Sequence, residues 1–238
     1  MREELLKIYE TIARVTAEEE RFIRIAEAEI ILRRNELTAY ISQDPYFRTT
    51  LMSHSVSENA PEIIKRMTKA TAGFGIGPMA AVAGAIAEYA VRAMAAAGSR
   101  YAIVDNGGDI AMLIDRPVTV GIFTGAAGVR SFGLRFEPRP GLIGICTSSG
   151  RIGHSLSFGC TDAATVISGD TILADAAATA LGNAIKTKEP ASMKQAIDSM
   201  LVEGIEGMIA VVDDLAAFGG IVPAIVPVKL PLEKIAAA

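Results

Sequence analysis

The stretch GFGIGPMAAVAGAIAEYAVRAMAAAG, residues 73–98, most restricts what this chain can fold into. After a glycine loop, Pro78 stands at the expected N1 position of a helix, where its missing N–H costs nothing, and Gly98 closes it about twenty residues later. The side chains between are mostly alanine, so another element can approach this helix closely. Such packing needs a sizeable core around it. With 238 residues, 50% hydrophobic and 21% charged, the chain can supply one, and disorder is excluded.

The elements around the alanine helix are read from hydrophobic period and punctuation. Residues 8–16, IYETIARVT, are β-branched and aromatic and read as a first strand, with helix as the alternative. From Glu18 to Ser42, Phe22, Ile25, Ile30 and Leu37 recur at helical spacing, and Pro45 in DPYF stops the pattern. APEIIKRMTKATAG reads as a short helix with Pro61 near its first turn and Gly73 at its end. After the alanine helix come the strand-like runs YAIVD, IAMLI, VTVGIFT, SFGLRFE and GLIGIC, and the DNGGD between the first two has the Asn-Gly signature of a tight hairpin. DAATVIS reads as a strand and TILADAAATALGNAI as a helix capped by Asp170. Residues 190–202 form an amphipathic helix, and EGMIAVVDD and IVPVKL close the chain as strands. The expected fold class is α+β: a single mixed domain over residues 1–238, with β-sheets packed against alanine-rich helices.

The net charge of −4, with basic residues scattered, argues against nucleic acid or an anionic membrane surface as the partner and favours a small ligand. Glu88 and Arg92 interrupt the richest apolar run short of the roughly 18 residues a membrane span needs. MREELLK does not read as a signal peptide, and Cys146 and Cys160 read as reduced thiols, so a cytoplasmic location is expected.

On the helix TILADAAATALGNAI, Asp175, Thr179 and Asn183 are spaced i, i+4, i+8 and share one stripe. A carboxylate and a hydroxyl so stacked can hold a hard cation such as Mg2+ through oxygen; equally, the stripe is a solvated face with Thr179 bonding back to the carbonyl four residues earlier. GFGIGP fails both the dinucleotide fingerprint and the P-loop pattern, leaving an anion-binding turn or a plain helix–helix turn. DNGGD is a hairpin turn in which Asp105 and Asp109 flank glycines that a ligand can approach. The segment TSSGRIGHS, residues 147–155, offers His154 as a general base, or with Cys146 a thiol nucleophile pair; a serine esterase elbow fails because Ser157 stands where its second glycine belongs. A buried, inert Cys146 is the plainer alternative. His54, in the polar loop MSHSVSEN, is expected to be exposed and without a partner.

The order of these features resembles the flavin transferase family typified by the thiamine-biosynthesis lipoprotein ApbE: an alanine-rich helix, VDNGGDI, VGIFT, CTSSGRIGHS, then ADAAATAL. Those enzymes move FMN from FAD onto a Ser or Thr hydroxyl of an acceptor protein, using Mg2+. The similarity spans roughly residues 60 to 186 and is nearest the smaller branch that lacks a lipobox. It implies the family's T-fold-like architecture. ADAAATAL resembles the family's ADALATAL, which implies Asp175 and Thr179 as side-chain metal ligands. MAAVAGAIAEYAV lies over A-x-A-K-G-Y-A, implying a backbone carbonyl from Ala83, or Ala81, as a third; the family's lysine position is Gly84 here. VDNGGDI places Gly107, Gly108 and Asp109 in the flavin-nucleotide pocket, and CTSSG resembles A-T-S-G. His154 matches the histidine proposed to assist transfer, though the family's I-D-P-x-T-G turn after it is replaced by SLSFGCT.

The expected function is thus Mg2+-dependent attack on a flavin-dinucleotide pyrophosphate. Asp175, Thr179 and Ala83 would hold the metal, and His154 would take the acceptor proton. Ser148 and Ser149, with loop N–H groups and Arg151, would stabilise phosphate oxygens, and Thr147 would line the same cofactor site. A non-catalytic flavin or nucleotide-binding protein and a Cys146/His154 thiol enzyme are the alternatives; the oligomeric state is left open.

Overall fold

The structure is a computed structural model that describes residues 1–125, 131–150 and 159–228. The N-terminal segment is not one strand but a hairpin, β1 (Arg2–Ile8) and β2 (Thr11–Ala17). Its turn falls at Tyr9, which has a φ of 52°, inside the segment expected to run straight. Alternation explains the hairpin: Leu6, Ala13 and Val15 are buried on one face while Leu5, Ile12 and Lys7 point outward.

Helix α1 (Glu20–Gln43) follows. Pro45 does end it, but also starts another: Asp44 caps the short α2 (Pro45–Thr49) through the Phe47 N–H. Next come α3 (Glu62–Ala72), a 3-10 turn over Pro78–Ala81 and α4 (Val82–Ala96). The predicted twenty-residue helix is therefore split, with tight turns at its entry and α-helix beyond.

The strands β3 (Ala102–Asn106), β4 (Asp109–Leu113), β5 (Val118–Ile122), β6 (Phe132–Phe136), β7 (Ile143–Ser148) and β8 (Ala163–Ser168) fall where the sequence predicts them. Then come α5 (Thr171–Ala184), α6 (Pro190–Met200) and β9 (Ile205–Val212). β10 (Leu215–Gly220) was not expected; β11 (Ala224–Pro227) covers the start of IVPVKL, whose last two residues lie outside the described ones.

The strands build an eight-stranded antiparallel sheet in the order β1-β2-β3-β4-β7-β8-β9-β10 and a three-stranded sheet, β11-β6-β5. One face of the large sheet carries the helices. On it, α1, α3 and α4 bury Phe22, Ile30, Ile63, Met67 and Met94 over β2 to β4. α5 and α6 bury Leu181, Met193 and Ile197 over the β7 to β10 half. The small sheet covers the other face through Leu134, Phe132 and Ile122 against Ile145, Ile167 and Ile209. This is the expected mixed fold of sheets and alanine-rich helices.

The stretch Pro78–Ala96 is by length and composition apolar enough to cross a membrane, but half of it is buried inside the protein. The charges that interrupt it explain why it is a core helix. Glu88 is fully buried and paired with Arg66 at 2.6 Å and Arg92 at 2.8 Å.

Candidate functional site

Helices α4 and α5 meet where neither has side-chain bulk. A Cβ on Gly84 would stand 2.6 Å from the Thr171 carbonyl oxygen and 2.7 Å from Asp175 Cβ; one on Gly144 of β7 would stand 2.7 Å from Thr171 Cα. Both approaches require glycine. Two polar bonds, one turn apart on each helix, fix the crossing: Thr171 N donates to Glu88 Oε2 at 2.6 Å, and Gly84 N to Asp175 Oδ2 at 2.7 Å.

Beneath this crossing lies the end of the β3–β4 hairpin. Gly107 and Gly108 have φ of 73° and 98° and form its two-residue turn, which only glycine adopts at no cost. Asn106 pairs with Asp109 across the hairpin, and Asp109 with Cys146 on β7. Directly paired residues share a face, so these three side chains form a polar row under the helices. Asn106 Nδ2 reaches up to the Ala83 carbonyl at 3.1 Å.

Asp109 and Asp175 thus come together from two separate elements. Burial and the adjacent Asp175 charge push Asp109 well above the usual carboxylate range. Burial pushes Asp175 up to about 7, against the lowering pull of the Gly84 and Ala83 N–H groups. Asp175 is 6% exposed. Among the described residues, no Lys or Arg is a cause of either shift; within that set, a proton or an external cation is what would compensate the pair.

Among the described residues, no three His, Cys, Asp or Glu side chains converge as a metal-holding group. The set present is instead two carboxylates with hydroxyl and carbonyl oxygens around them, which suits a hard, water-retaining divalent ion rather than a thiolate- or imidazole-bound one. Thr179, next on the stripe, does not bond back along its own helix; its hydroxyl faces the Ala80 carbonyl at 3.5 Å. The Ala83 carbonyl accepts from Asn106.

Of the expected cofactor-binding residues, Thr147 pairs its hydroxyl with Thr165 at 2.9 Å on the face toward the small sheet. Ser148, two residues beyond Cys146 and so on the helix face, has a buried hydroxyl without a partner among the described residues. Such an orphan costs free energy unless a ligand or water meets it. Ser149 lies one residue further on, and His154 and Arg151 lie outside the described residues. Cys146 is fully buried with its thiol pushed well up by burial and by Asp109 and Asp175. That is the opposite of what a thiolate nucleophile needs. His54, expected alone and exposed, instead bonds Asp44 at 2.7 Å.

Sequence reasoning placed Asp109 in a nucleotide pocket and Asp175 at a metal, and did not place them against each other. It missed Asn106 as well, taking it for a turn residue. The available signal was the doubled glycine: with Gly107 and Gly108 making the turn, Asn106 is surplus to it.

Comparison with known proteins agrees with this architecture. Residues 7–217 match the family model described as AbpE bacteria. A UPF0280 protein from Methanosarcina acetivorans is 45% identical over 99% of this chain and 93% of its own. One from Methanocella arvoryzae is 47% identical over 96% and 93%. Among solved structures, the apo flavinyl transferase ApbE of Pseudomonas stutzeri matches with a TM-score of 0.56 at 14% identity, covering 92% of this chain and 94% of that one. A histidine-to-glycine variant of the flavin transferase ApbE from Vibrio cholerae matches with a TM-score of 0.57 at 11% identity, over 92% and 96%. At those identities the likeness is one of fold, whereas the family model and the archaeal relatives span nearly the whole sequence. The chain belongs to the AbpE bacteria family.

Proposed function

We propose that this protein cleaves the pyrophosphate of a flavin dinucleotide in a Mg2+-dependent reaction and passes the flavin mononucleotide to a Ser or Thr hydroxyl of an acceptor protein. The observation that carries the reading is the buried pair Asp109 and Asp175, brought together at the crossing of a glycine turn and two alanine helices, with no basic side chain among the described residues that cause either shift. A divalent ion there would neutralise phosphate charge.

The chain's own groups have separable tasks. Asp175, oriented by the Ala83 and Gly84 N–H groups, is a fixed carboxylate for the ion, with Asp109 facing it and Thr179 one turn on. Gly107 and Gly108 leave backbone open to a nucleotide. Ser148 offers its unpartnered hydroxyl to a phosphate oxygen. Ser149 and Arg151 extend that contact, and His154 takes the acceptor proton.

The test is to mix purified protein, FAD and Mg2+ with a protein acceptor and to measure AMP together with covalently bound flavin. Release of AMP with flavinylation is expected, and its loss on Asp175→Ala. Unaltered cleavage in that variant would overturn the site.

One observation favours a second reading, a flavin-binding protein without transfer. Gly84 stands where the resemblance places a lysine, and the 2.6 Å approach to Thr171 leaves no room for any side chain. Tight FAD binding without AMP release would establish that reading.

A further inference from the structure

The Ala83–Gly84 segment faces two ways. Its N–H groups hold the Asp175 carboxylate of α5, while the Ala83 carbonyl accepts from Asn106 at the mouth of the glycine turn. Asn106 is 9% exposed and stands directly opposite Asp109 in the hairpin. It is therefore a side-chain tie between the nucleotide-lining turn and the helix segment that orients the second carboxylate. Only an amide, or another donor of that length, can make it. Aspartate at this position would set a carboxylate against a carbonyl and bring another negative charge beside Asp109 and Asp175; alanine would remove the tie altogether.

We propose that Asn106 is a positioning residue that couples the two halves of the site, so that a nucleotide at Gly107–Gly108 and a divalent cation at Asp109 and Asp175 tighten each other's binding. This rests on the cation site of the proposed function. Its distinct content is that the coupling runs through Asn106 and Ala83 as well as through direct charge contact between the ligands. Coupling is reciprocal, so it can be read from either ligand.

Isothermal titration of the full chain with Mn2+ alone, ADP alone and ADP in saturating Mn2+ measures it. ADP lacks a flavin to transfer, so no turnover intervenes. In the wild-type protein Mn2+ should tighten ADP by about tenfold or more, within the usual range of such couplings. In Asn106→Ala each ligand alone should bind within about threefold of wild type while the mutual tightening falls to about threefold or less. Should that variant fail to fold, Asn106→Asp at the same size carries the test, with coupling again lost. Full coupling in a folded Asn106 variant overturns the inference while leaving the cation site standing. Absence of Mn2+ binding in the wild type, or Mn2+ binding unchanged in Asp175→Asn, overturns the cation site and this inference together.

Discussion

A carboxylate removed from water is held protonated at pH values where it would ordinarily be charged, and burial pushes the Asp175 pKa up to about 7 from an ordinary 3.8. The folded protein thus binds a proton that the unfolded chain has released. The stability linked to it is full below about pH 4 and is lost as pH rises toward 7. Without metal, the protein should lose stability across that window. Asp175→Asn, which keeps an oxygen for the Gly84 N–H and carries no charge, should remove the loss and raise the metal-free Tm at pH 8 by several degrees, since each pKa unit is about 1.4 kcal/mol. The same variant should abolish any Tm increase on adding Mg2+. A Tm at pH 8 below wild type, read by thermal denaturation in chelator, would contradict the account. Cys146 supplies the companion prediction: buried and raised in pKa, it should resist alkylation in the native protein. Cys146→Ala should leave the proposed flavin transfer intact at a cost of about 1–2 kcal/mol for the lost packing.

At the scale of elements, the crossing of α4 over α5 depends on two positions that admit no side chain. Gly84→Ala would drive a methyl to 2.6 Å from the Thr171 carbonyl, and the alanine-lined helices offer no flexible neighbour to give way. The expected cost is about 2–4 kcal/mol in urea unfolding, with the proposed Mg2+ binding weakened because the Asp175 N–H donors move with the helix. Native stability in that variant would show that the crossing is looser than its geometry. Much of this element layer is legible in sequence, because Asp170, Gly73, Gly107 and Gly108 mark ends and turns by residue-specific physics. What escapes has no local signal. Tyr9 turns the first hairpin at positive φ without glycine or asparagine. The small residues of LAAFGG become β10 only because β9 pairs with them. Within the candidate site, the Asp175 stripe and the glycine turn are visible in sequence, but their meeting is set by the sheet order that lays α5 over β4 and β7. No spacing rule spans that distance.

At the scale of the molecule, the site stands where the packing layers join. Ile172 and Ala176 of α5 belong to the cluster under α1, α3 and α4, while Ala174, Ala177 and Leu181 of the same helix belong to the cluster under α6. On the sheet, Met112 of β4 and Ile145 of β7 face the small sheet from strands whose other faces meet the helices. Among the described residues α5 thus belongs to both clusters, and we propose that residues 1–238 unfold as one domain. Differential scanning calorimetry should show a single transition whose calorimetric and van't Hoff enthalpies agree. A divalent ion bound at α5 should then raise the Tm of the whole transition, by about 2.7 kcal/mol at a hundredfold excess over its Kd. If the β7–β10 half with α5 and α6 instead melted separately, the ion would shift one of two transitions and leave the other in place. That result would make the carboxylate crossing a boundary between units rather than the point that ties them together.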